Sequence, residues 1–534
     1  MGEALAWPSI PAMVRDACSR FAADEALVDG DVRRSFGQLS DDIDAAARAV
    51  IAAGIEPGDR VAIWAPNVHE WVAASLGTLA AGGVLVPLNT RYRGREAAYI
   101  LNKSGARLLF TITGFLDTDY PALLAEADEE IPALEQIVLL RGRGSKKLTS
   151  WKKFLEAGDG VAPEAVKERV AALGPDDLSD IMFTSGTTGH PKGVLCTHGQ
   201  SLRTFATWSG TLGLERGDRY LIVNPFFHTF GYKAGIISAI MRGATIIPHA
   251  VFDAEQVLRR IPEERVSMLP GPPALFQTIL NHPDLPSTDV SSLRLCATGA
   301  AAIPVSLIEQ MWEELTFETI VTAYGLTEAT GCATMCRPGD PAEIIAHTSG
   351  RAIDDVEVRI VDEDGVEVPR GDPGEIVVRG FNVMQGYLDD PEQTAEAIDS
   401  DGWLHTGDIG VMDEAGNIDI TDRLKDMFIV GGFNAYPAEI ENDLVEHPAI
   451  AQAAVVGMPH SRLGEVGCAF LVQATGSELP STQDLRDWCR DRMANFKVPR
   501  HFEWVEAFPT NPSGKVLKHE LRDRANDFAG KEDE

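Results

Sequence analysis

FTSGTTGHPKGV, residues 183–194, completes the apolar run SDIMFT of residues 179–184. Three glycines, one serine, three threonines and one lysine share this stretch. Glycine loses more backbone freedom on folding than any other residue, so this density is costly unless the chain must wrap closely around something. Successive N–H groups in a Ser/Thr/Gly turn form a concavity for anions, and the hydroxyls of Ser185, Thr187 and Thr188 add donors. Lys192 supplies a cation, and Pro191 stiffens its approach. A phosphate chain accounts for all of these features, whereas a merely flexible polar loop leaves the clustering without a cause. The stretch is not the Walker pattern, because Gly193 follows the lysine. Nor is it the dinucleotide fingerprint, since no G-x-G-x-x-G opens a helix here.

The surrounding chain has 534 residues, too many for one core, so two or more domains are expected. Apolar content is ordinary for a globular protein. The formal net charge of -33 repels nucleic acid and anionic membrane, and no basic stripe offsets it. Any polyphosphate site must therefore concentrate its cations locally. The seven cysteines are scattered, with no CxxC and no histidine at zinc spacing. Cys332 and Cys336, the closest two, read as small buried residues. This usage suits a reducing compartment and a cytoplasmic location. MGEALAWPSI has no basic region before an apolar run, so no secretory signal is expected. The most apolar stretch, 220–241, is interrupted by Asn224, His228 and Lys233, and reads as strand, loop and helix of a core rather than a membrane span.

The first 110 residues alternate helix and strand signals. SFGQLSDDIDAAARAVIAAG is an amphipathic helix stopped by Gly54, and DRVAIWAPN a strand and turn. WVAASLGTLAAGG, VLVPLN, REAAYILNKSG and ARLLFTI repeat the cycle, and a similar alternation runs from 220 to 330. Such βα units predict a mostly parallel sheet covered by helices. RGRGSKK and AGDGVAPEAVKER, between 140 and 180, read as surface connections. From 355 to 420 the texture becomes β, with VEVRIVDEDG and EIVVRG alternating around glycine turns. Past 425 a compact segment carries its own strands (AQAAVVGMP, GCAFLVQ) and helices (AEIENDLVEH, TQDLRDWCRDRM). The expected class is α/β: a large N-terminal domain, residues 1–422, of parallel-rich βα subdomains plus a β-rich one, and a small mobile α+β lid, residues 423–534.

TSGTTGHPKG resembles the phosphate loop of the adenylate-forming superfamily of acyl-CoA synthetases, luciferases and peptide-synthetase adenylation domains. The superfamily's other signatures follow in order: YGLTEATG (324–331), GWLHTGDIG (402–410), DRLKDMFIVGGFNAYPAEIE (422–441) and NPSGKVLK (511–518). The likeness spans essentially the whole chain. It implies a two-step reaction, in which a carboxylic acid and ATP give acyl-AMP and pyrophosphate, and the coenzyme A thiol then displaces AMP.

The resemblance also implies roles. Thr184, Ser185, Gly186, Thr187, Thr188, Gly189 and Lys192 would hold the β and γ phosphates. Tyr324, Gly325 and Thr327 follow the apolar run FETIVTAYG, where a strand end would deliver them to a ligand crevice. Thr327 would reach the α-phosphate, and Glu328 would bind Mg²⁺, a hard cation suited to carboxylate and phosphate oxygens. Asp408 would accept hydrogen bonds from the ribose hydroxyls, with Arg423 at the same sugar or a phosphate. Gly299, Ala300 and Ala301 in TGAAAIP would form the adenine wall. Lys515 would bridge the carboxylate and α-phosphate in one closed state of the lid, stabilising the transition state and then leaving. Lys425 stands at the superfamily's hinge, and Gly431 and Gly432 would line a pantetheine tunnel too narrow for side chains. Tyr436 and Glu439 would support that face.

NPFFHTFGYKAG, residues 224–235, gathers Phe226, Phe227, His228, Phe230 and Tyr232. It is expected to line an apolar acyl site gated by His228; core aromatics around a structurally bonded histidine are the alternative. Together with LPGPP and EATGCATMCRPGD it resembles the actinobacterial ligases that activate hydrindane-propanoate, a remnant of steroid-ring degradation. A bulky alicyclic propanoate is the expected acid. Medium-chain or aryl-alkyl acids, and a carrier-protein-loading adenylation enzyme, remain open, as does a phosphate-binding regulator or P-loop NTPase without ligase activity. The partners are the small-molecule acid, ATP and CoA, and a homodimer is compatible with the sequence.

Overall fold

The computed structural model describes residues 7–127, 129–184, 191–299, 303–423, 426–430, 433–435, 437–460, 463–490, 492–493, 495–510 and 516–528. Near the N-terminus the helix Phe36–Ala52 opens with a capping box. Ser35 Oγ accepts from the Gln38 N–H, and the Gln38 side chain accepts from the Ser35 N–H. Gly54, at φ +80°, then turns the chain away in a conformation that disfavours side chains. The strands Arg60–Trp64, Val84–Pro87 and Leu108–Phe115 run parallel, joined by the helices His69–Ala80 and Gly94–Ser104. Their nearly continuous apolar runs are what a sheet covered on both faces requires.

The strand carrying the apolar run before the glycine loop, Leu178–Thr184, joins this sheet parallel to Val84–Pro87. The chain then reverses, and Lys192–Thr197 pairs antiparallel with Leu178–Thr184 and on its other side with the short strand Gly386–Tyr387. The alternation from 220 to 330 builds two further parallel pairs, Arg219–Ile222 with Thr245–Pro248 and Leu295–Thr298 with Thr319–Tyr324. Met268 bridges them by pairing with both Tyr220 and Leu295. Residues 356–423 form an antiparallel sheet in the order Val356–Val361, Pro373–Gly380, Leu404–Met412, Ile418–Arg423.

A large hydrophobic cluster, from Ile10 to Ile418, underlies all of this. The C-terminal segment has its own cluster, from Phe428 to Ala525. There Phe428–Val430, Gly464–Gln473 and Ile450–His460 pair antiparallel, His501–Trp504 adds in parallel, and the helices Pro437–Val445, Thr482–Arg490 and Lys518–Asn526 accompany them. The molecule is therefore the expected α/β assembly with a separate C-terminal domain.

The reading of AGDGVAPEAVKER as a surface connection is wrong. Gly158–Gly160 is a single 3₁₀ turn and Pro163–Ala172 a helix. Pro163 stands at its first position, where the missing N–H costs nothing, and Val166 and Val170, four residues apart, bury on one face. Among the described residues no helix is long and apolar enough to cross a membrane. All seven cysteines are free and buried. Burial pushes the thiols of Cys18, Cys332 and Cys489 up to about 12 and that of Cys196 to about 11.

Candidate active site

The glycine loop is suspended between two strands that pair in register, Thr184 opposite Lys192. Its tip, Ser185, Gly186, Thr187, Thr188 and Gly189, lies outside the described residues. Directly opposed residues of an antiparallel pair project to the same side, so the Thr184 hydroxyl and the Lys192 ammonium stand on one face of the hairpin. Lys192 Nζ donates to Gln393 Oε1 and sits 4.9 Å from the centre of the Tyr387 ring.

Glu328 reaches the same place from another direction. The strand Thr319–Tyr324 ends at Gly325, and the chain turns through the 3₁₀ turn Thr327–Ala329. A Cβ on Gly325 would lie 2.4 Å from the Gly331 carbonyl carbon, so only glycine allows the turn to close on itself. The turn is held to the segment before Gly386: Thr330 Oγ1 donates to the Asn382 carbonyl at 2.7 Å, and the Met384 N–H to the Glu328 carbonyl at 2.8 Å. Tyr387 OH donates to Glu328 Oε1 at 3.0 Å, and Thr184 Oγ1 lies 3.5 Å from the same oxygen. Burial and then the Glu328 charge push the Tyr387 hydroxyl's pKa well up, so it stays a donor. Thr184, Lys192, Glu328 and Tyr387 thus form one group of hydroxyls, a cation and a carboxylate. The oxygen donors of Thr184 and Glu328 suit a hard divalent cation.

Gly299 follows the strand Leu295–Thr298, parallel to and beside Thr319–Tyr324, so by register it lies beside Ala323, one residue before Tyr324, near the carboxyl ends of both strands. Its φ of +146° calls for glycine, and a Cβ there would be 3.8 Å from the Ala323 carbonyl oxygen. Ala300 and Ala301 lie outside the described residues. Tyr324 OH donates to Asp408 Oδ2 at 2.6 Å, drawing the buried Asp408 to the same strand ends. The backbone of Arg423 pairs opposite Asp408 across the antiparallel sheet. Thr327 is half-buried beside Glu328. Lys425, Gly431, Gly432, Tyr436 and Lys515 lie outside the described residues, as does the Glu439 side chain.

The aromatic stretch needs correcting. Phe226 and Tyr232 are fully buried and pack on Trp71 with ring centres 5.3 and 5.7 Å away, so they belong to the core and line no open site. Phe230 meets the edge of Trp208 at 5.7 Å. His228 is exposed, with Nδ1 accepting from the Phe230 N–H at 3.2 Å, which leaves the proton of the neutral ring on Nε2. Protein crowded around the ring disfavours its charged form and lowers its pKa. The turn before it is pinned by Asn67, whose Nδ2 donates to the Asn224 carbonyl at 2.9 Å and whose Oδ1 accepts from the Phe226 N–H at 2.8 Å.

Two charged groups were missed by sequence reasoning. Lys233, in the π-helical segment Phe230–Ile237, lies 2.9 Å from Asp180 of the strand Leu178–Thr184, and both side chains are 0% exposed. The contact is an ion pair by distance, with angles outside hydrogen-bond geometry, so charge attraction carries it. Burial opposes the Lys233 charge, but Asp180 and Cys196 together outweigh it and hold the ammonium's pKa above the ordinary range. Outside that pair, Asp29, His69 and Glu70 bring ligand atoms close enough for a metal. The Arg141 guanidinium already fills that place, with Nε 2.9 Å from Glu70 and Nη2 on Asp29.

The AMP-binding enzyme family matches residues 14–388, and the AMP-binding enzyme C-terminal domain matches residues 439–515. The chain belongs to the AMP-binding enzyme family. A 3-[(3aS,4S,7aS)-7a-methyl-1,5-dioxo-octahydro-1H-inden-4-yl]propanoyl:CoA ligase from Rhodococcus jostii is 47% identical over 516 residues, covering 96% of this chain and 98% of that ligase. The ligase of the same name from Mycobacterium tuberculosis is 48% identical over 515 residues, with the same coverage. Among solved structures, the anthranilate CoA ligase AuaEII in complex with anthranoyl-AMP superposes with a TM-score of 0.87 at 27% identity, covering 97% of this chain and 98% of that one. These family members share the adenylate-forming architecture over their whole lengths.

Proposed function

We propose that this family member is an AMP-forming acid–CoA ligase whose acid is a bulky alicyclic propanoate. One observation carries the reading: the group Thr184, Lys192, Glu328 and Tyr387 is assembled in a chain that matches two alicyclic-propanoate ligases nearly end to end. An oxygen of the acid attacks the α-phosphorus of ATP, and pyrophosphate leaves. The thiol sulfur of CoA then attacks the acyl carbonyl, and AMP leaves.

The residues divide the work. Thr184 to Gly189 and Lys192 hold the β and γ phosphates, Thr327 reaches the α-phosphate, and Asp408 and Arg423 take the ribose. The base stacks beside Gly299, Ala300 and Ala301, near Tyr324 and Gly325. Mg²⁺ bound at Glu328 would neutralise phosphate charge, and the Tyr387 hydrogen bond orients the carboxylate that would hold it. His228 presents its Nε2–H at the mouth of the acid site. Lys515 enters only during adenylation. The N-terminal domain ends near residue 422, and the C-terminal domain pivots at Lys425 to bring Gly431 and Gly432 over the thiol channel, with Tyr436 and Glu439 supporting that face. The enzyme works in the cytoplasm.

Acid-dependent release of pyrophosphate from ATP, followed by CoA-dependent thioester formation, tests the reaction. A panel of alicyclic propanoates, straight-chain and aryl-alkyl acids tests the substrate. Orthophosphate released without regard to any acid would refute the ligase reading, and a preference for straight-chain acids would refute the substrate.

A further inference from the structure

The reaction just described gives no task to the buried pair Asp180 and Lys233. Removing two charges from water costs several kcal/mol per ion, and packed apolar residues of similar volume often stabilise a fold as well or better. A pair held this way is best explained by what it arranges. Its placement says what that is. Side chains alternate along a strand, so Asp180, Met182 and Thr184 share one face. Asp180 meets Lys233 at 2.9 Å, Met182 Sδ accepts from Thr229 Oγ1 at 3.1 Å, and Thr184 Oγ1 lies 3.5 Å from Glu328.

The two steps match in length. Two strand residues advance about 6.6 Å, and four helical residues about 6 Å. Positions 180 and 182 therefore address 233 and 229 together, and a one-residue slip would turn Asp180 to the other face. Thr229 is gripped from its other side by Gly331, where a Cβ would come 2.2 Å from Thr229 Cγ2. Lys233 also stands where the helix is irregular: its carbonyl accepts from the Ser238 N–H, five residues on. Turns of this type are uncommon and concentrate at functional sites.

We propose that Asp180 and Lys233 are positioning residues for the acid, fixing the height and rotation of the wall formed by residues 224–237 against the phosphate-bearing strand. This rests on the reading that the acid meets that wall at its exposed end, beside His228. The pair touches neither acid nor nucleotide; it decides where one is presented to the other.

The test compares Asp180→Asn, Lys233→Met and the double variant with the wild type. It measures acid-dependent pyrophosphate release with acid and ATP varied separately, and thermal midpoints alongside. Each single variant leaves one buried charge unpaired and melts earlier. The double variant leaves none and recovers its melting temperature. Its acid KM nevertheless stays ~10-fold or more above wild type, its preference for the alicyclic propanoate over a straight-chain acid narrows, and its ATP KM stays within ~2-fold, since a pocket misfit of about one methylene is worth ~10–200-fold between substrates. A double variant with wild-type acid KM and preference overturns the proposal, because the pair would then be structural only. So does an ATP KM that rises by the same factor as that for acid. If the double variant does not fold, Lys233→Arg keeps the charge at a different reach; acid KM should rise alone, and an unchanged value overturns the proposal. These failures appear in an active wild type, whereas a wild type without acid-dependent release overturns the ligase reading and this one together.

Discussion

Replacing Gly331 with alanine should wedge the active-site turn apart, in two separable parts. The first is conformational. Gly331 has φ +94°, and placing an L side chain in left-handed backbone costs about 1–2 kcal/mol. The second is steric. The new methyl would lie 2.2 Å from Thr229 Cγ2 and 3.5 Å from the Phe205 ring, and Thr229 is buried. Overpacking a closed site of this kind costs about 1–3 kcal/mol. Together these give roughly 2–5 kcal/mol. Thr229→Ser removes the offending methyl and keeps the hydroxyl that donates to Met182 Sδ. In the Gly331→Ala/Thr229→Ser protein the steric part should therefore be recovered and the conformational part should remain. Urea unfolding, followed at the transition of the N-terminal domain, reads the difference. With m above the roughly 3 kcal/mol per M of small proteins, a loss of ~3 kcal/mol lowers the midpoint by less than about 1 M. Activity should follow, because the displaced turn carries Thr327 and Glu328. Gly331→Ala as stable as the wild type would refute the argument, and so would a double variant no better than the single.

Tyr387→Phe deletes the donor to Glu328 while keeping the ring beneath Lys192. A hydrogen bond to a charged group contributes about 1.5–3 kcal/mol, so adenylation should fall by ~10-fold or more. The Mg²⁺ concentration needed for half-maximal rate should rise, and stability without ATP should fall by no more than about 1.5–3 kcal/mol. Lys515→Ala should abolish acid-dependent pyrophosphate release yet still convert supplied acyl-adenylate to thioester. Lys425→Pro, which fixes φ at the proposed pivot, should do the reverse; equal loss of both half-reactions in either variant would count against domain rotation. Burial alone would raise the Asp29 carboxyl, but hydrogen bonds from His69 and the Arg141 charge outweigh it and hold its pKa at about 2. A depressed carboxylate stabilises above its unfolded pKa, so about 2 kcal/mol should be present above pH ~5 and lost as pH falls from ~4 toward ~2. The stability gap between wild type and Asp29→Asn should close over that interval, and a gap independent of pH would refute it.

What could be read from the sequence was local or periodic. The apolar run before the glycine loop, the capped helix at Ser35 and the βα alternation each announce themselves within about twenty residues. The helix Pro163–Ala172 was missed because Gly158, Gly160 and Pro163 look like punctuation, although Val166 and Val170 carried a helical period. Tyr387 was missed for a different reason. FNVMQGYLDD has no strand pattern, and it meets Glu328, 59 residues away, only because Gly386–Tyr387 adds to the edge of another strand. Phe226 and Tyr232 were given to the acid site because composition cannot say which side of a segment faces the core. The pair Asp180 and Lys233 left a trace that went unused: each is a charge inside an apolar run, and two such charges invite pairing. Their partnership depends on how strand and helix cross, which no local pattern contains.

The buried cysteines have a practical consequence. With every native sulfhydryl inside the fold, and burial pushing up the pKa of Cys18, Cys196, Cys296, Cys332, Cys336 and Cys489, maleimides and disulfide reagents should react slowly with the native enzyme. A single cysteine engineered on each side of the proposed pivot would then take a fluorophore pair cleanly, without first stripping the protein of its own. The opening and closing proposed for the C-terminal domain could be sought by energy transfer, turnover by turnover, on an otherwise unaltered background.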